Sequence, residues 1–382
     1  MTYRASLIDD PLKGVLGGIP KISPGERCVF SVLFGSSSAY FLARAFLQDP
    51  RPVLAILPTL EEAEEFLGDL NFFLEKGSAS LFPPTERLAF EASFTHPELM
   101  ARRLEVLYRL SKGESFITVT TAPTLLERLI PKDALHATTL TLKAGREYPR
   151  DELLEKLTNA GYTRVGMVEE RGEMSVRGLV LDIFPPVHRV PLRIEFFADE
   201  IESIREFDPS TQRSTDSIEE LLILPAREIL LGAGQRSEAR AKLVERADEL
   251  KVEREVLEPL SNALRDGVAI PGLAPLLPYF YDSLDSLFDY LPDGALVTLV
   301  GPDGVESELD DARRAVERIE ARLTEAEAFF VEPKSLFLDT NQVKQNFESF
   351  PIVEIIEGAG GGQEIGATRN PAIAGSIELK QS

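Results

Sequence analysis

Apolar residues recur along this chain with two different periods. Between Cys28 and Leu142, short continuous apolar runs alternate with stretches of helical spacing: CVFSVLF (Cys28–Phe34), PVLAILP (Pro52–Pro58), a brief run around Leu81 and FITVTTA (Phe116–Ala122). Runs of that kind are strands buried on both faces, so the pattern predicts a parallel sheet covered by helices. The helix after Pro58 is the best marked. Thr59 and Glu62 stand at capping-box spacing, and Leu60, Ala63, Phe66, Leu67, Leu70, Phe73 and Leu74 make one stripe. Thr95 and Glu98 repeat that cap before a helix that turns Met100, Leu104, Leu107 and Tyr108 inward. A helix through Leu129 and a strand at Ala137–Leu142 are expected to follow.

From Glu173 to Asp208 the period changes to two. Leu179–Phe184 and Leu192–Phe197 read as antiparallel strands joined through a proline-flanked connection. On the second, Leu192, Ile194 and Phe196 share one face, while Arg193, Glu195 and Phe197 share the other, with Arg177 and Gly178 opening the preceding strand nearby. The first is a core face. The second is either solvated surface or a protein contact, for an exposed arginine beside an exposed aromatic ring is the usual make-up of a binding hot spot. A helix with Leu153, Leu154 and Leu157 in line and Gly161 as its stop precedes this unit. Ile201–Phe207 and Ile218–Leu224 supply further strands, with Asp208-Pro209-Ser210 as the turn between them.

Past Arg227 the chain becomes helical and strongly charged, with a narrow apolar face. A buried strand at Leu296–Val300 and a helix follow, with Glu306 and Asp310 in the cap and first turn of that helix. Strand-like Leu336–Thr340 and Pro351–Glu357 come next, then a Gly-rich tail expected to be flexible.

The 382 residues suffice for two or three domains with buried cores. A formal net charge of −22 argues against capture of nucleic-acid phosphate by bulk charge. One cysteine, Cys28, leaves no intrachain disulfide and suits a reducing compartment; with no apolar run long enough for a bilayer, a cytoplasmic protein is expected. His96, His136 and His188 lack partners at ligand spacing, so no metal site is expected, and local spacing supports no catalytic triad.

The arrangement RGE-x-x-x-RG-x-x-x-DIFP from Arg171 to Pro185, followed by R-I-E-F-F-x-D-E-I-E-S-I-R-x-F-D from Arg193 to Asp208, resembles the second domain of the excision-repair protein UvrB and of the transcription-repair coupling factor (Mfd) family. The resemblance runs in order from about Val29 to Phe350. It implies a degenerate P-loop, helicase-like α/β domain in two parts, residues 1–148 and 227–357, with a small α+β antiparallel domain inserted at 149–226 and a linker at 358–382. The inserted domain would hold UvrA, through Arg164, Arg177, Arg193, Glu195 and Phe197.

Two nucleotide motifs of UvrB are altered. Its Gly-Ser-Gly-Lys-Thr loop falls on Gly35, Ser36, Ser37, Ser38 and Ala39, without the lysine that grips phosphate or the hydroxyl that holds Mg²⁺. Its acidic pair falls on Val300 and Gly301. No ATP, Mg²⁺ or catalytic residue is therefore expected here. Where UvrB inserts a DNA-probing hairpin, this chain has a proline-started loop and a helix over Leu81–Leu110, as the coupling factors do. In that family, RNA polymerase and double-stranded DNA are engaged by ATP-driven domains whose motifs this chain lacks. Two other readings stay open: a nucleotide-dependent enzyme using displaced groups, and a module that docks on the motor domains and restrains them.

Overall fold

The computed structural model describes residues 22–32, 35–85, 97–229, 232–266, 276–325, 331–357, 366–369 and 377–378. Its largest sheet has eight strands in the order Ile377–Glu378, Gly366–Arg369, Arg27–Val32, Ile352–Glu357, Leu296–Val300, Val53–Leu57, Ile117–Thr121 and Ala79–Leu81. From Arg27–Val32 to Ala79–Leu81 neighbouring strands are parallel. Val53–Leu57, Ile117–Thr121 and Leu296–Val300 are buried at every position, the burial that their unbroken apolar sequence requires.

Alternation along these strands feeds two cores. Leu54, Ile56, Val297 and Leu299 pack to one side, against Leu104 and Leu107 of the helix Pro97–Ser111 and Val305 and Leu309 of the helix Pro302–Glu325. Val53, Ala55, Leu57, Leu296 and Val300 pack to the other, against Phe41, Leu42 and Phe46 of the helix Ser37–Gln48 and Ala63, Phe66 and Leu70 of the helix Leu60–Phe73. Each fully buried leucine here is worth roughly 1.5–3 kcal/mol over an exposed one. The Thr59 capping box forms, with the Thr59 N–H donating to Glu62 Oε2 at 3.0 Å and the Glu62 N–H to Thr59 Oγ1 at 3.3 Å. Leu60, expected in the buried stripe, is 39% exposed, as the first residue of the helix after the Thr59 cap.

The second unit is a six-stranded sheet, ordered Ser214–Ser217, Glu200–Phe207, Leu192–Phe197, Val180–Ile183, Glu173–Arg177 and Thr163–Arg164. Its core face closes on Leu153 and Leu157 of the helix Arg150–Asn159 and on a separate antiparallel pair, Leu140–Lys143 with Glu220–Ile223.

Several elements differ from the sequence reading. Residues Lys132–Thr138 are helical, and the strand that follows, Leu140–Lys143, joins the second unit instead of the parallel sheet. Only Leu140 and Leu142 of that strand are buried, the half-buried alternation of an antiparallel ladder. Glu220–Ile223 pairs there and not with Glu200–Phe207, whose turn at Asp208 leads into Ser214–Ser217. Pro123–Leu126 is a single 3₁₀ turn before the two-residue strand Arg128–Leu129, in place of a helix. Leu336–Thr340 makes one bridge, Glu127 to Phe337, before Asp339 caps the helix Thr340–Phe347 through its side chain. The helix after Val300 begins at Pro302, so its first-turn acid is Asp303 and not Glu306 or Asp310. Arg177 and Gly178 close one strand and turn into the next: Gly178 lies at φ 61°, in the hairpin between Glu173–Arg177 and Val180–Ile183. Thr95, Leu33 and Phe34 lie outside the described residues; of the Gly-rich tail, Gly366–Arg369 is described and pairs antiparallel with Arg27–Val32 as a strand.

The two units are fastened by a buried ionic knot. Arg103 Nη2 donates to Glu127 Oε2 at 2.8 Å, Arg103 Nε lies 3.5 Å from Glu228 Oε1, and Arg103 Nη1 donates to the Pro83 carbonyl at 2.5 Å. All three charged side chains are buried, and the guanidinium stacks on Phe82. Glu228 follows the Glu220–Ile223 strand, so the knot joins the return from the second unit to the main sheet.

Candidate functional site

The first candidate lies where the strands of the parallel sheet end. Gly35 and Ser38, at the start of the first helix, meet Val300 and Gly301, at the end of the Leu296–Val300 strand, around a cleft of about 490 Å³. The structure thus places on one cleft residues from the two stretches that the resemblance aligns with the nucleotide motifs of UvrB. Ser36 is the N-cap of the helix without a side-chain capping bond, Ser37 begins the helix, and Ala39 is fully buried. Ser38 is 2% exposed and stands at the lysine position.

Among the described residues, the cleft is lined by the carboxylates Glu62, Glu65, Asp69 and Asp303 and by no Lys, Arg or His. The starts of two helices, Ser37–Gln48 and Pro302–Glu325, border the cleft, and a helix N-terminus favours an anion. The carboxylates counter it. A triphosphate here would meet like charge without the lysine that offsets it, and no group of three or more His, Cys, Asp or Glu among the described residues is placed to hold a metal. The residues present do not fit Mg·ATP.

The second candidate is the outer face of the six-stranded sheet. Antiparallel register places Ser175, Asp182, Arg193 and Arg205 side by side in one row, and Arg177, Val180, Glu195 and Ser203 in the next. Phe197 stands one step beyond and is 71% exposed. The predicted alternation holds, with Leu192, Ile194 and Phe196 buried on the opposite side.

Asp182 organises the first row. Its side chain is 1% exposed, and it accepts from Arg193 Nε at 2.6 Å, from Arg193 Nη2 at 2.9 Å and from Arg177 Nη2. A carboxylate buried in a sheet demands such partners. Arg193 is therefore held tightly: it also stacks over Phe207 at 4.7 Å and donates from Nη1 to the Gln212 carbonyl at 3.2 Å. Its side chain is 15% exposed, and its hydrogen bonds to Asp182 push its pKa above the ordinary arginine value. Arg177 differs, leaving 50% of its side chain in solvent. Glu195 accepts from the Ser203 hydroxyl at 2.8 Å.

Among the residues expected from sequence, the structure gathers Arg177, Arg193, Glu195 and Phe197 on one face. Arg164 is exposed, but it sits on the edge strand opposite Met174, a core-side residue, so register places it on the other side from Arg193. Sequence reasoning gave no role to three residues of this face. Asp182 was legible as a lone carboxylate inside an apolar run. Arg205 is exposed on the same row as Arg193, at the spacing of two that defines the face. Leu179, half exposed in the hairpin, accepts from the Phe196 N–H at 2.9 Å, next to Phe197.

Residues 140–229 match the family model of the UvrB interaction domain. The match begins with the strand Leu140–Lys143 and ends just past its partner, Glu220–Ile223, the pair that closes the second unit. Over 95% of its length the chain is 30% identical to the transcription-repair-coupling factor of Myxococcus xanthus, and over 84% it is 30% identical to that of Bacillus subtilis. Over 87% it is 28% identical to that of Escherichia coli. It spans 31%, 27% and 29% of these relatives' lengths.

Proposed function

With residues 140–229 forming a UvrB interaction domain, in a chain related over most of its length to transcription-repair-coupling factors, we propose that this protein is the module that recruits UvrA and itself carries out no catalysis. In the longer protein it would serve transcription-coupled repair: ATP-driven domains outside this chain would move on double-stranded DNA and release stalled RNA polymerase, while the outer face of the six-stranded sheet brings in UvrA and begins nucleotide excision repair.

One observation carries the reading. Inside the region matched to the UvrB interaction domain, a ring 71% exposed and, two strands away, a half-exposed guanidinium share one face of a sheet whose opposite face is core. Exposed apolar rings flanked by charge mark protein contacts more than solvated surface. The test is binding of the purified chain to purified UvrA by surface plasmon resonance. Saturable binding is expected, weakened roughly thirty-fold or more by Phe197→Ala, the effect of removing a hot spot worth at least about 2 kcal/mol. Wild-type affinity in Phe197→Ala would end the assignment of this face.

The absence of catalysis rests on the acidic cleft. Titration of the chain with Mg·ATP is expected to give no saturable binding and no phosphate release, and a saturable signal would favour the nucleotide-dependent alternative.

A further inference from the structure

Asp182 lies at the centre of the outer face yet is too buried for a partner to touch. Taking this face as the UvrA contact, we infer that Asp182 is a positioning residue: it fixes Arg177 so that the guanidinium presents its outer edge to a carboxylate of the partner, next to a partner pocket that receives Phe197.

Three observations meet on this residue. Asp182 shares a row with Arg193 and Ser175, whereas Arg177 belongs to the next row and leans back across the strands to reach it. A side chain that free would otherwise sample many rotamers; here one terminal nitrogen is fixed, and half of the group is left in solvent. Arg193 occupies the other side of the same carboxylate with two bonds and is itself held by Phe207 and Gln212, so Asp182 has no freedom to follow Arg177 outward. The Gln212 backbone adopts φ 58° in the loop where its carbonyl accepts from Arg193, a left-handed conformation that a non-glycine residue holds only when the surroundings require it.

The free edge of Arg177 selects the partner chemistry. A guanidinium already paired at one end offers its other N–H groups in a plane, and a carboxylate is the group that takes two of them at once. Arg177 and Arg205 are exposed cations on the same surface, while Glu195 is engaged by Ser203. Arg177, Arg193 and Arg205 are balanced on this face by Asp182, Glu195 and, opposite Phe197, Glu200, so it is the free edge of Arg177 and not a net positive charge that fits a partner carboxylate next to an apolar recess.

The test is a double-mutant cycle read by surface plasmon resonance against purified UvrA, using Asp182→Asn, Arg177→Gln and the combined variant. Thermal melts of each check folding. If Asp182 acts through Arg177, each single variant loses about ten-fold in affinity and the combined variant loses no more than Arg177→Gln alone. Losses that multiply would make Asp182 a merely structural residue and overturn the inference, as would wild-type affinity in Asp182→Asn. Asp182→Glu is run in parallel, so that the question survives if Asp182→Asn fails to fold. It keeps the charge but displaces it by a methylene, and it is expected to lose affinity in the presence of Arg177 and to cost nothing further in Arg177→Gln. An Asp182→Glu variant that binds as tightly as wild type would show that charge without position suffices, against the inference. Failure of the unaltered chain to bind UvrA is a different result: it defeats the reading of the face itself.

Discussion

Among the described residues arginine meets a buried carboxylate in two clusters, and only one of them faces outward. Around Arg103, the cation and both carboxylates are sealed from solvent, beneath an aromatic ring and across the return from the second unit. Around Asp182, the carboxylate is sealed but one of its two arginines is half exposed. The chemistry is shared, and exposure decides its use. A sealed pair is a fastener, since losing one partner strands the other without water. A half-open pair holds one guanidinium edge ready for another molecule. Burial also depresses the pKa of Arg103, with Glu127 opposing, whereas hydrogen bonding to Asp182 raises that of Arg193.

The largest expected effect breaks the sealed cluster. Arg103→Met removes the buried cation that pairs with Glu127 and is expected to cost roughly 3–5 kcal/mol in urea unfolding, while the protein that stays folded keeps its affinity for UvrA. A cost below about 1 kcal/mol would erase the contrast between the clusters. Next is Arg177→Glu, which places a carboxylate before the partner's own: a loss of roughly 2–5 kcal/mol in UvrA binding is expected, with only a small fall in the unfolding midpoint, because Arg193 still holds Asp182 through two bonds and a half-exposed side chain can turn its charge to solvent. Arg193→Glu is the companion that sharpens the comparison. It sets like charge against buried Asp182, so it should lower stability as well as binding, and melts of the two variants will separate them.

Thr59→Ala tests a site in neither cluster. Losing the Thr59 cap should cost about 1 kcal/mol of stability and leave UvrA binding as it was. Arg205→Ala, an exposed charge on the row of Arg193, should change affinity by roughly 0.2–1 kcal/mol. Most of that change is expected in the association rate and its salt dependence, which stopped-flow measurement resolves.

The smallest effect is a pH dependence. Burial pushes the His188 imidazole below its ordinary value of 6.5, although its bond to the Leu222 carbonyl and the nearby Glu206 oppose this. A histidine depressed in the folded state contributes stability that is complete above its unfolded value and is lost as pH falls toward the folded one. The melting temperature should therefore decline below about pH 6.5, and less steeply in His188→Gln. Equal slopes would remove His188 from the account.

How far these features were legible follows from the range of the interactions behind them. Continuous apolar runs such as Val53–Leu57 announced buried parallel strands, and the Thr59 cap was written in two residues three apart. The outer face was legible too, because alternation at Arg193, Glu195 and Phe197 needs only the pleat of one strand. Where two local signals were equally good, the reading failed. Ala137–Leu142 could extend the parallel sheet or open the second unit, and its partner, Glu220–Ile223, lies far along the chain. Leu336–Thr340 had strand composition, but Asp339 offered its side chain to the backbone and began a helix instead.

Sequence by itself determined the layers of this protein, the face that carries Phe197 and the missing phosphate-gripping groups at Ser38 and Ala39, since each depends on residue type and local period. Tertiary structure alone decided the rest. It chose which arginine is nearly covered and which is half exposed, placed Arg164 away from Arg193, and drew four carboxylates around the cleft beside Ser38 and Gly301. The reason is physical: exposure and charge pairing are properties of residues that meet across strands and helices, and no single segment contains both partners.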